Sequence, residues 1–195
     1  EGEKITALIP VPDLKGEDTL ILATRKGEIK AMELSQLASI RSKGLAAMDL
    51  AAGDELAAVR LVGQSDEILM VSEDGQAIRF PGAMVPVRSR LAGGVKGMRM
   101  DDGDRVVAMD IALPQALLLV VSQNGFAKLS PIKSYPRQSR GGHGVKTMRV
   151  TPKTGPVAAA QVVLDAQQEI MLLSSQAQVF RTSLAELRVL SRVTQ

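Results

Sequence analysis

The stretch LLLVVSQNGFAKLSPIKSYPRQSRGGHGVKTMR, residues Leu117 to Arg149, decides how this chain is read. It opens on an apolar run, Leu117 to Val121, closed by Ser122-Gln123-Asn124-Gly125. A short unbroken apolar run is the pattern of a strand buried on both faces, and Asn-Gly behind it signals a tight hairpin turn. A segment carrying Lys128 follows, then a connection bounded by Pro131 and Pro136, then the basic, glycine-rich run from Arg137 to Lys146.

Outward from this stretch the same order recurs. Turn glycines Gly27, Gly75 and Gly125 follow the apolar runs Thr19 to Ala23, Ile68 to Val71 and Leu117 to Val121, and a further run, Ile170 to Leu173, leads to Ala177 in the glycine's place. A basic residue comes within four positions of each turn: Lys30, Arg79, Lys128 and Arg181. Farther on lies a Ser-basic pair: Ser42-Lys43, Ser89-Arg90, Ser139-Arg140 and Ser191-Arg192. A second turn (Gly53-Asp54, Gly103-Asp104, Thr154-Gly155) and another strand-like run complete the unit. The period is roughly fifty residues, that of propeller blades.

The expected fold is therefore all-β, a propeller-like repeat of about four blades, each a four-stranded antiparallel sheet. The expected partition is one domain over 1–195, with blades at 17–64, 65–113 and 114–165 and an incomplete last blade at 166–195. Residues 1–16 resemble the close of a unit and are expected as the closing strand of a preceding or of the last blade. Weak helical periodicity around Glu33 to Ile40 and Ser183 to Leu190 falls at one place in the repeat and is read as connection with at most a turn of helix.

Composition narrows the chemistry. The chain of 195 residues has no cysteine, which removes disulfides and thiolate metal sites. No apolar run reaches the length of a membrane span and the N-terminus lacks a signal-peptide pattern, so a soluble, cytoplasmic chain with no membrane partner is expected. The single histidine, His143, sits in a glycine-rich loop with no recognisable nucleophile nearby, so no catalytic residue is expected. Asp101-Asp102-Gly103-Asp104 could attract a cation, but it occupies the place of a turn in the other units; neither metal nor cofactor is expected.

Charge is unevenly spread. Up to Asp66 there are eight basic and eleven acidic residues; from Glu67 onward, sixteen and ten. The glycine-rich loops Gly93 to Gly97 and Gly141 to Gly144 fit no phosphate-loop motif. Their amides could line an anion-binding concavity, or the glycines could serve only a tight crossing between blades; the sequence supports both readings. Arg88, Arg90, Lys96 and Arg99 flank the first loop, and Arg137, Arg140, Lys146 and Arg149 the second. With three Phe, one Tyr and no Trp there is no platform for stacking single-stranded bases, and no recognition helix carries the basic residues into a groove. Phosphate contacts to duplex DNA, independent of base sequence, remain. The candidate contacts are Lys43, Arg79, Arg88, Arg90, Lys96, Arg137, Arg140, Lys146 and Arg192. A protein-interaction scaffold is the alternative, and a carbohydrate- or nucleotide-processing propeller enzyme a weaker third reading.

The chain resembles, end to end, the C-terminal domain of the A subunit of bacterial DNA gyrase and, more distantly, that of topoisomerase IV. The likeness is most specific in Glu3 to Val11, Ser122 to Lys128 and Ser191 to Gln195. It implies a β-pinwheel, a ring of four-stranded blades with strands exchanged between neighbours, that bends and wraps duplex DNA around a basic outer rim. It also implies that ATP hydrolysis and DNA cleavage lie outside this chain, in the remainder of the gyrase A protein and in the gyrase B protein. The family carries a box, Gln-Arg-Arg-Gly-Gly-Lys/Arg-Gly, whose nearest match here is Gln138, Ser139, Arg140, Gly141, Gly142, His143 and Gly144, with Ser139 and His143 in place of basic residues. The resemblance implies that the units present are the last four of six, without the intact box.

Overall fold

A computed structural model describes residues 4–11, 14, 18–40, 44–165 and 167–193. Thirteen strands are found among them, and no α-helix. The first unit contributes β1 (Thr19–Thr24), β2 (Glu28–Glu33) and β3 (Leu56–Val62); the second, β4 (Glu67–Ser72), β5 (Gln76–Pro81), β6 (Val95–Lys96) and β7 (Val106–Ile111). The third contributes β8 (Leu117–Ser122), β9 (Ala127–Pro131), β10 (Val145–Lys146) and β11 (Val157–Val163); the last, β12 (Glu169–Leu173) and β13 (Val179–Ser183). The two weakly helical segments are single 3-10 turns, Leu34–Leu37 and Leu184–Glu186.

The sheets run β3-β1-β2-β6, β10-β5-β4-β7, β11-β8-β9 and β12-β13. All strand pairs are antiparallel. The outermost strand of the first sheet, β6, belongs to the second unit, and that of the second sheet, β10, to the third. Each blade of four strands is thus finished by its successor, which is the strand exchange of a β-pinwheel.

Strand alternation explains the unbroken apolar runs. In β4, Ile68 and Met70 pack with Ile21 and Ile29 of the first blade, whereas Leu69 and Val71 pack with Leu118 and Val120 of the third. In β8, Leu119 and Val121 face Leu129 and Leu184 on the other side. A strand sandwiched between two blades has no polar face. On the inner side β3, β7 and β11 lie side by side. Asp110 stitches them: it pairs with Arg60 at 3.0 Å and accepts the Val162 amide at 2.9 Å.

The hairpin glycines do more than turn. Gly27 and Gly75 adopt φ of +85° and +77°, a region that disfavours any Cβ. The next unit also crosses against them: the Gly97 and Met98 amides donate to Gly27 O, and the Thr147 and Met148 amides to Gly75 O. A Cβ on either glycine would run into the carbonyl oxygen of Met98 or Met148.

Lys4 to Val11, within the segment expected to be a closing strand, forms no strand among the described residues, and Ile5 and Leu8 are 93% and 94% exposed. Its counterparts β3, β7 and β11 each pair with the first strand of their own unit. β12 pairs only with β13 among the described residues. Ile9 alone packs, against the face of the first blade.

Candidate nucleic-acid interface

After the 3-10 turns Gly82–Met84, Ile132–Ser134 and Leu184–Glu186 the chain of one unit runs along the middle strand of the unit before it. Parallel bridges join Ala31 to Val87, Arg79 to Arg137 and Leu129 to Val189. In register with them, Arg88 N donates to Ala31 O (2.9 Å), Gln138 N to Arg79 O (2.8 Å) and Leu190 N to Leu129 O (2.8 Å). The Ser-basic pair follows, then the glycine-rich loop, then the exchanged strand. This geometry places the candidate cations in two different settings.

In the first setting the positive group is consumed by the fold. Arg79 is 12% exposed; it pairs with Glu67 and donates to Ile132 O and Tyr135 O, both at 3.3 Å. Its donors are taken up inside the fold. Arg137, more exposed, shares the same carboxylate at 3.0 Å. The Ser-basic arginines form a repeated latch onto the preceding unit's exchanged segment or its counterpart. Arg90 Nη1 donates to Ala46 O (3.3 Å), Arg140 Nη1 to Lys96 O (2.8 Å) and Arg192 Nη1 to Lys146 O (3.1 Å); Arg140 Nε also reaches Met84 O (3.0 Å). These three stay partly exposed with donors to spare, but each has a structural task first. Lys43 lies outside the described residues.

The second setting is the outer edge. Lys96 on β6 and Lys146 on β10 stand at equivalent positions, opposite Glu28 and Gln76, and both are exposed. Three residues on, Arg99 and Arg149 are exposed as well. Among the described residues none of these four side chains takes part in a hydrogen bond or ion pair. Arg88 is exposed, with one weak bond to its own loop at Gly93 O (3.4 Å).

The degenerate box is a blade crossing. Gly141 N donates to Gly97 O (2.6 Å), and Gly142 O accepts from Arg99 N (2.9 Å). Gly144 has φ of +77°, and a Cβ there would strike Ala77 O. Ser139 is exposed, and His143 Nδ1 lies 3.6 Å from Asp101 Oδ1. The geometry shows the tight crossing that these glycines allow. In the acidic turn, Asp104 accepts the amides of Asp74 (3.0 Å) and Arg105 (2.8 Å), a clamp between neighbouring hairpins. Burial first, then Asp104, Glu73 and Asp101, raise the Asp74 carboxyl above its usual range.

Sequence reasoning missed two buried cations. Lys30 and Lys128 are 0% and 1% exposed. Lys30 Nζ donates to Ala47 O, Arg90 O and Ala92 O, each at 2.8 Å; Lys128 Nζ donates to Ser191 O (3.1 Å) and Arg192 O (2.6 Å). Burial, then the nearby Arg88, lowers the Lys30 ammonium, and burial with Arg192 lowers that of Lys128 to about 8. The signal that could have found them is strand parity. Lys30 and Lys128 stand three residues after their glycines, Arg79 four, and a period of two sends those positions to opposite faces.

A family model described as "DNA gyrase C-terminal domain, beta-propeller" matches residues 18–62, 66–112, 116–163 and 168–195. The chain belongs to this family. It is 49% identical over 195 residues to the DNA gyrase A protein of Halalkalibacterium halodurans, covering 100% of this chain and 23% of that protein. Against the DNA gyrase A protein of Dehalogenimonas lykanthroporepellens it is 41% identical over 182 residues, 93% of this chain and 22% of the relative. The chain therefore spans between a fifth and a quarter of the length of these family members. Among solved structures, a DNA gyrase A C-terminal domain superposes with a TM-score of 0.84 at 25% identity, covering 93% of this chain and 61% of that one. The C-terminal domain of a DNA topoisomerase IV shares the fold, with a TM-score of 0.89 at 23% identity over 95% of this chain and 58% of that one.

Proposed function

We propose that this chain is a non-catalytic module of a cytoplasmic type II DNA topoisomerase, of the gyrase kind, that binds duplex DNA along its outer edge and bends it. One observation carries this reading: Lys96 and Lys146, with Arg99 and Arg149, repeat from blade to blade as exposed cations whose side chains make no hydrogen bond or ion pair among the described residues, Lys146 feeling only the field of Asp74. Arg88 and the spare donors of Arg90, Arg140 and Arg192 extend the track, and Arg137 contributes as far as Glu67 allows; Lys43, outside the described residues, is a candidate on sequence alone.

Such a track meets phosphates and not base edges. Each neutralised phosphate releases condensed counterions, which drives association and makes it steeply dependent on salt. Bending a site of 20–30 bp costs roughly one to six kcal/mol by elastic estimates, and a series of contacts around a curved edge offsets that cost. The family supports DNA as partner, and the remainder of a gyrase A protein with gyrase B as the surroundings in which cleavage and ATP hydrolysis take place.

Titrating the chain with a random-sequence duplex at rising salt tests the reading. Affinity should fall steeply and to the same degree for unrelated sequences. A flat response would favour the protein-interaction scaffold. Wrapping is read separately, by relaxing closed circles with a nicking-closing enzyme in the presence of the chain; an unchanged linking number would leave binding without wrapping.

A further inference from the structure

The seams between blades contain cations that no DNA could reach. Lys30, on the middle strand of the first blade, ends in an ammonium group whose three hydrogens meet three carbonyls: Ala47, Arg90 and Ala92. Two of the three belong to the second unit's basic loop. Lys128, two units on, repeats the arrangement toward Ser191 and Arg192. At the seam between them Ile78 stands in the register of Lys30, since Ile78 lies opposite Met70 as Lys30 lies opposite Leu22. Arg79, one position on, supplies the cation there through Ile132 O and Tyr135 O. All three seams are therefore closed by a side-chain cation of one blade gripping main-chain oxygens of the next.

We infer that Lys30 and Lys128 are positioning residues for the DNA edge, holding the backbone of the following unit's Ser-Arg loop so that its cations face outward, without touching DNA themselves. The inference rests on the DNA-binding reading of the edge. The loop's amides are tied by Arg88 N to Ala31 O, Arg90 N to Gln36 Oε1 and Ala92 N to its own Ser89 O. Weaker bonds of 3.3 to 3.4 Å join Gln36 Nε2 to Arg88 O, Asp49 N to Ala92 O and the Arg90 guanidinium to Ala46 O. Removing the ammonium takes the donor from the part-buried Ala47 and Arg90 carbonyls and leaves Ala92 O with the Asp49 amide alone, a penalty the loop relieves by opening to water.

The test is amide hydrogen exchange of the chain and its Lys30→Met variant, with duplex affinity measured beside it. Exchange at Arg88, Arg90 and Ala92 should speed by about tenfold or more, since each 1.4 kcal/mol of lost local stability is a factor of ten, while β4 and β8 stay protected. Affinity should fall several-fold for every duplex sequence. Loop exchange unchanged in Lys30→Met would overturn the inference and leave the DNA reading standing. A wild-type chain that binds no duplex defeats the DNA reading instead, whatever the exchange shows. Should Lys30→Met not fold, the ammonium groups of the wild-type chain decide by nitrogen-detected NMR. Slowly exchanging signals from Lys30 and Lys128 that stay put when duplex is added, while those of Lys96 and Lys146 move, are the expected result. A Lys30 ammonium that exchanges like a surface lysine contradicts it.

Discussion

Seam and edge draw on the same repeat and use positive charge in opposite ways. At the seam, Lys30, Arg79 and Lys128 are desolvated and their donors are met by carbonyls of the neighbouring blade. At the edge, Lys96 and Lys146 stand in solvent on two-residue strands, and no acceptor in the described residues meets their side chains. Recurrence of a basic residue in every unit is thus no mark of a ligand. What separates a structural cation from a binding one is whether the fold itself satisfies its donors.

The largest expected effect breaks the seam. Lys30→Ala removes a fully bonded ammonium and takes the donor from the Ala47 and Arg90 carbonyls, while Ala92 O keeps the Asp49 amide, so it should cost about 3 kcal/mol in a denaturant melt, whereas Lys96→Ala should stay within about 0.5 kcal/mol of wild type. Equal costs would erase the distinction between the two regions. Next come two turn glycines in one repeat position. Gly75→Ala meets both a positive φ and the Met148 carbonyl and should cost about 2 kcal/mol or more. Gly125→Ala has the same turn but open space around it and should cost only about 1 kcal/mol; the gap reports the crossing chain.

Smaller still is the latch. Arg140→Lys gives up a guanidinium that bridges Met84 O and Lys96 O and should lose about 1 kcal/mol of stability. It keeps the charge, so the salt dependence of DNA binding should barely change. The last effect is in pH. With Lys128 lowered to about 8 in the folded chain, the unfolded chain holds more protons between about pH 8 and its ordinary lysine value near 10.5. The stability of wild type relative to Lys128→Met should therefore rise with pH across that window and be flat below it. A difference that falls with rising pH would mean the seam raises the ammonium instead.

Much of the architecture is legible in the sequence. Asp74-Gly75 and Asn124-Gly125 mark the hairpins, and the unbroken runs at β1, β4 and β8 mark strands buried on both faces. The exchanged strands follow only from family resemblance, because Val95-Lys96 and Val145-Lys146 are too short to show a period and pair with partners in another unit. The site is half legible for a related reason. Matching basic residues "within four" of each turn merges Lys30 and Lys128 with Arg79, although one residue of offset in a strand reverses the side chain. The Ser-basic arginines stand out correctly as a recurring feature, but a contact from Arg140 to Lys96 O spans two units and leaves no local trace.

The role of the edge turns on whether the lysines of the exchanged strands face phosphate. The most direct measurement is the slope of log affinity against log salt for wild type and for the Lys96→Ala, Lys146→Ala double variant on one duplex. Losing two phosphate contacts should make the slope shallower by about 1.8, at about 0.9 per contact, with the melting curve unmoved. A double variant that binds with the wild-type slope would contradict a phosphate-facing edge.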